Sequence, residues 1–136
     1  YRIDSFAPGK TYQYNIYGGK VQVAPFELRH DVPNCGYKIM LPNEKRVLYA
    51  TDTVTMDGVD APDMDLYMIE ANHREADINR RIAEKNYDGE YAYERRAVHT
   101  HLSKEQADAW LVRNMASYSE VIYLHGHADM KGCGRD

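Results

Sequence analysis

PFELRHDVPNCGYKIMLPNEKRVLYATDT, residues 25–53, is the stretch on which the fold turns. It holds the end of one strand and two further short ones. The first strand is expected over Lys20 to His30 and closes on a histidine. Asp31-Val32-Pro33-Asn34-Cys35-Gly36 then bends the chain, since these residue types supply the dihedrals that turns need. Tyr37 to Leu41 runs out, Pro42-Asn43-Glu44-Lys45 turns, and Arg46 to Thr51 runs back and hands over at Asp52. His30 and Asp52 thus both stand where a strand gives way to a loop. Chemistry collects at such points, because the sheet edge holds the side chain and the loop opens it to solvent.

Upstream, a loop with Pro8-Gly9 leads to a strand over Thr11 to Ile16, and Gly18-Gly19 makes a hairpin turn. Val21 and Val23 alternate with polar neighbours, whereas after Pro25 the apolar positions are Phe26 and Leu28. This slip in phase predicts a bulge or edge position at Pro25. His30 shares the phase of Phe26 and Leu28.

Downstream, Thr53 to Asp65 has the composition of a loop, and Leu66 to Ala71 is a compact apolar run that predicts a buried strand. Ile78, Ile82 and Ala83 recur at helical spacing over Arg74 to Lys85, and Asn86 to Gly89 ends that helix. Tyr91 to Ala97 is short and charged and gives no clear period. Ser103 and Gln106 form a capping-box pattern, and Ala107, Trp110, Leu111 and Met115 make the apolar stripe of a helix to about Ser117. Glu120 to Leu124 is a last strand before His125-Gly126-His127, and the tail from Lys131 to Asp136 is expected to fray. A meander followed by strand, helices and strand predicts an α/β layer, a mixed sheet with helices on one face.

The 136 residues suit one domain, and 43% hydrophobic against 28% charged residues allows a modest core. A net charge of −4 excludes a general nucleic-acid coat, though not an enzyme with a local basic or metal-bearing site. No apolar run reaches the roughly 20 residues of a membrane span, and no secretory signal is visible. A cytoplasmic protein is expected, with Cys35 and Cys133 as free thiols rather than a disulfide.

Of the six histidines, His30, His73, His101 and His125 close or follow strands or precede a helix, and Asp52 joins them. Neutral imidazole and carboxylate are ligands for zinc, manganese or iron. A single histidine at a strand end is ordinarily a hydrogen-bonded rim residue, whereas several with an acid make a candidate site. His73 and His99 are expected at the surface, and Asp31 is expected to form the turn.

ELRHDVPNCGYKI, LYATDT, MIEANH, HTHLS and VIYLHGH, in that order, resemble the second half of a metallo-β-lactamase-superfamily hydrolase. The pattern is most similar to the phosphodiesterase and nuclease branches, such as tRNA 3′-end processing ribonucleases and cyclic-phosphate phosphodiesterases. The resemblance implies the C-terminal half of an αββα sandwich, so that residues 1–136 are a single domain lacking the first metal-binding half. It implies a divalent metal, zinc first and manganese next, held by His30, by Asp52 as a bridging ligand and by His125, with His127 as a substitute for the last. It implies that His101 contacts the scissile phosphate and protonates the leaving oxygen. Glu70 would then orient a histidine. The His-x-His-x-Asp-His motif of the first half is absent, so at most three of the ligands are here. The chain is therefore expected to be a fragment, as its start at Tyr1 rather than methionine suggests, to pair with the missing N-terminal half, or to act as a homo-oligomer. Pairing is expected to cover a face bearing Val23, Phe26, Leu28 and Ile39. The alternatives are a non-catalytic interaction domain derived from the same fold, and an unrelated α+β domain whose histidines are rim residues.

Overall fold

The structure, a computed structural model, describes residues 5–16, 18–88 and 93–126. The strands β1 (Tyr12–Ile16), β2 (Gly19–Leu28), β3 (Asn34–Met40), β4 (Arg46–Ala50), β5 (Leu66–Glu70) and β6 (Glu120–Leu124) form one sheet in chain order. The first four make an antiparallel meander; β5 joins β4 in parallel and β6 joins β5 in parallel. A parallel pairing needs a long crossover. The crossover from β5 to β6 carries the three helices, α1 (Glu75–Asp88), α2 (Tyr93–Thr100) and α3 (Lys104–Asn114).

The expected class, a mixed sheet with helices, is the one observed. The Ser103–Gln106 capping box is present in full, with Ser103 Oγ accepting from the Gln106 amide and Gln106 accepting from the Ser103 amide. The strand expected to reach His30 ends at Leu28, which leaves His30 on the loop. The turn expected through Gly36 ends earlier, and Gly36 lies inside β3. A side chain there would meet the Phe26 ring and, at 2.9 Å, the Tyr49 carbonyl oxygen, so only glycine lets that ring lie against the strand. α2 begins within the segment that has no clear period and runs on past it to Thr100. The expected tail, His127 and Cys133 lie outside the described residues.

The core lies on one face of the sheet. Leu28, Leu48, Ala50, Tyr67 and Ile69 pack there with Ala107, Trp110 and Leu111 of α3 and with Met56, Ala61 and Met64 of the β4–β5 loop. The loop is pinned by polar contacts: Trp110 donates to the Val59 carbonyl at 3.0 Å and Tyr67 Oη donates to the Ala61 carbonyl at 2.7 Å. Every strand residue of this core shares one parity, with Leu48 opposite Tyr67 and Ala50 opposite Ile69. The other parity brings Tyr14, Val21, Val23, Ile39, Val47, Leu66, Met68 and Ile122 to the second face, where they are half-buried or exposed.

No bulge interrupts Pro25: the pairing runs without a skipped residue from Gln22–Met40 to Leu28–Asn34. Val23 and Ile39 therefore occupy the second face, and Phe26 and Leu28 the first. The single face expected to carry all four does not exist. The apolar phase changes along β2 because its two ends contribute to opposite faces, not because the strand slips.

Candidate metal centre

β4, β5 and β6 run parallel, so their C-terminal ends lie at one rim of the sheet, the place where open α/β sheets gather ligands. Asp52 follows β4, Glu70 ends β5 and His125 follows β6; His101 arrives at the same rim between α2 and α3. β2 is antiparallel to β3 and β3 to β4, so the end of β2 also points to this rim and delivers His30. Asp52 and His125 both have φ of 55°, left-handed backbone that non-glycine residues seldom adopt.

One ligand atom from each of Asp52, Glu70, His101 and His125 lies within 4.8 Å of the others. Nδ1 of His125 is 2.8 Å from Asp52 Oδ1 and 3.1 Å from Glu70 Oε1, and Nδ1 of His101 is 2.6 Å from Glu70 Oε1. The other Glu70 oxygen accepts the Thr53 amide at 2.8 Å, which ties the end of β5 to the Asp52 turn. Glu70 is fully buried, while the Asp52 and His125 side chains are 42% and 44% exposed, so the group opens to solvent on one side.

Burial pushes the Glu70 carboxyl up to about 7, with the Thr53 amide opposing. Burial also lowers the pKa of His101, against the pull of Asp52. A buried carboxyl raised and a mostly buried imidazole lowered, 2.6 Å apart, favour one proton shared between them over an ion pair.

Four of the five residues singled out as site residues thus converge. His30 lies beside them, its ring centroid 5.3 Å from that of His101. Its Nδ1 is 3.0 Å from the Thr100 carbonyl oxygen and its Nε2 is 3.0 Å from Asp31 Oδ1. Asp31 also accepts from Arg96, and these residues line a cavity of about 220 Å³ with Ala97, Thr100 and His101. His99 is exposed as expected, but His73 is buried: it bridges to Ser103, and the surface position expected for it is corrected. Thr53 was not foreseen, because a backbone amide that holds a distant carboxylate leaves no mark on residue type.

The donor set fits a divalent cation. Two imidazoles and two carboxylates suit zinc, manganese or iron, whose ligand bonds of about 2.0–2.2 Å place neighbouring donors roughly 3–3.5 Å apart, near the separations seen here.

No family model matches the chain, and no curated protein matches it. Among solved structures it is similar to the metallo-beta-lactamase fold protein YhfI from Bacillus subtilis, with a TM-score of 0.58 and 13% identity. The match covers 89% of this chain and 41% of that one, so the chain spans well under half the length of the protein it resembles. The likeness is one of fold. The mixed sheet and its helices match part of a metallo-β-lactamase fold, and that fold here carries a cluster able to bind a divalent metal.

Proposed function

We propose that this chain is the C-terminal part of a divalent-metal-dependent hydrolase of the metallo-β-lactamase fold, acting on a phosphodiester or nucleic-acid strand in the cytoplasm. The observation that carries the reading is the convergence of Asp52, Glu70, His101 and His125 within 4.8 Å at one rim. Asp52 and His125 of that cluster would hold the metal, with His30 joining them from its place beside His101; zinc comes first and manganese is the alternative. A cation bound there supplies Lewis acidity, lowering the pKa of a water and polarising a phosphoryl oxygen.

The remaining roles belong to side chains. His30 donates its Nδ1 proton to the Thr100 carbonyl, which fixes the tautomer that leaves Nε2 as the ligating atom once Asp31 releases it. Glu70, 2.6 Å from Nδ1 of His101, orients the imidazole that would pass a proton to the leaving oxygen. Glu70 also fixes the orientation of both imidazoles.

The set is incomplete, because the 136 residues contain no His-x-His-x-Asp-His. Activity would therefore need an N-terminal half that carries that motif, whereas a second copy of the chain lacks it as well and would serve only to cover apolar surface. The second sheet face, with Tyr14, Val23, Ile39, Tyr49 and Met68, is the surface it would cover, since large apolar patches are rarely left in water. The described residues include no helix long and apolar enough to cross a membrane.

A non-catalytic interaction module is the second reading, favoured by His30, both of whose ring nitrogens already have protein partners. Zinc titration separates the two. One zinc site in the wild type, weakened at least about tenfold by Asp52→Asn and by His30→Ala, supports the hydrolase reading. Equal zinc content in wild type and both variants removes it.

A further inference from the structure

Asp52 and His125 are two of the four described non-glycine residues with positive φ, the others being Glu44 and Asp63. A left-handed residue other than glycine is strained and persists where surrounding bonds enforce it. At both positions the bonds come from an asparagine carboxamide. Asn34 Nδ2 donates to the Thr51 carbonyl at 2.8 Å and to the Asp52 carbonyl at 2.9 Å, using both its protons on the turn. Asn72 Nδ2 donates to the His125 carbonyl at 3.1 Å.

Asparagine commonly caps its own turn two residues away. These two instead reach 17 or 18 and 53 positions along the chain, so they join separate elements. Asn34 opens β3 and clamps the exit of β4. Asn72 is buried just beyond β5, and its amide donates to the Leu102 carbonyl at 2.9 Å. Through one residue it therefore links the strand carrying Glu70, the exit carrying His125 and the segment carrying His101.

We infer that Asn34 and Asn72 are positioning residues that hold the left-handed backbones of Asp52 and His125, and so present these two side chains to the cation. Each acts through a backbone carbonyl oxygen. The inference rests on the metal-centre reading for its consequence, though not for its geometry.

Zinc and cobalt(II) titrations of the 136-residue chain test it, with Asn34→Ala, Asn34→Thr and Asn72→Ala. Asn114→Ala is the control. Asn114 is another buried asparagine, accepting the Ala61 amide at 3.2 Å and donating to the Trp110 carbonyl at 2.9 Å, away from the rim. Asn34→Ala and Asn72→Ala are expected to weaken zinc binding about 10–100-fold, the usual cost of losing a group that orients a ligand, and to alter the cobalt absorption bands. Asn34→Thr, which keeps one hydroxyl donor on a strand, should fall between. Asn114→Ala should lower Tm while leaving the affinity within about twofold.

Wild-type affinity and spectra in Asn34→Ala and Asn72→Ala overturn the inference, as does an equal loss in Asn114→Ala. Amide exchange of the metal-free chain separates this from failure of the metal reading. If the wild type takes up neither metal, that reading fails, and exchange alone decides the clamp. Faster exchange at Thr53 and Val54 in Asn34→Ala, with Leu48 unchanged, sustains it; unchanged exchange at all three defeats it.

Discussion

The two ends of this single sheet are built differently, and the chemistry follows the difference. From β1 to β4 the strands form an antiparallel meander closed by short turns, so successive strand ends alternate between the two rims. From β4 to β6 they run parallel, and three successive exits fall on the same rim. The meander delivers one candidate side chain, His30, to that rim; the parallel end delivers Asp52, Glu70 and His125, and its crossover brings His101. Parallel pairing is thus the means by which residues far apart in sequence become neighbours here.

The largest expected effect tests whether the parallel end also carries the stability. Leu48 is fully buried between the sheet and α3, so Leu48→Ala should cost about 2–5 kcal/mol in urea unfolding. Val23, half-buried on the second face of the meander, should cost under about 1 kcal/mol when cut to alanine. Equal costs would break the comparison.

Next comes a pH effect confined to the parallel end. The Glu70 carboxyl is raised in the folded state from 4.5 to about 7, so its protonated form favours folding. That contribution is complete below about pH 4.5 and is lost as pH rises through about 7. It amounts to at most about 3 kcal/mol. His101, lowered by burial, acts in the opposite sense, its contribution being lost as pH falls below 6.5 through its folded value. Without metal, Glu70→Gln should therefore gain stability relative to wild type between pH 4.5 and 7.5. Parallel pH curves for the two proteins would show that the carboxyl is not strained by its burial.

A smaller effect sharpens the picture of the meander. Gly36→Ala would force the Phe26 ring away from β3 and should cost about 1–3 kcal/mol, the range for overpacking. Smallest of all, Val112 is 82% exposed on α3, and Val112→Ala should change stability by no more than about 0.5 kcal/mol.

Much of the local structure was legible. Glu120–Leu124 and Leu66–Glu70 stand out because short apolar runs between turn formers have few other fates, and the Ser103–Gln106 cap is written in four consecutive residues. α2 was not legible, since it is only eight residues long and Ala97 is the buried apolar residue among its described side chains, with mostly charged neighbours. His73 looked like a surface residue because its neighbours Asn72 and Arg74 are polar; its bridge to Ser103, thirty residues on, is what buries it. Sheet faces were misassigned at β2 for a related reason: parity along one strand does not say which face a neighbouring element will cover.

By itself, then, the amino-acid order determined the strands, the capped helix and the types of side chain available for metal and proton chemistry, because these depend on dihedral preference and on neighbours a few residues away. Only the tertiary structure decided which of those side chains meet. That depended on two parallel pairings that send the exits of β4, β5 and β6 to one rim, and on long-range carbonyl bonds that hold Asp52 and His125 in left-handed backbone. Contacts of this kind join residues separated by tens of positions, and no local preference encodes them.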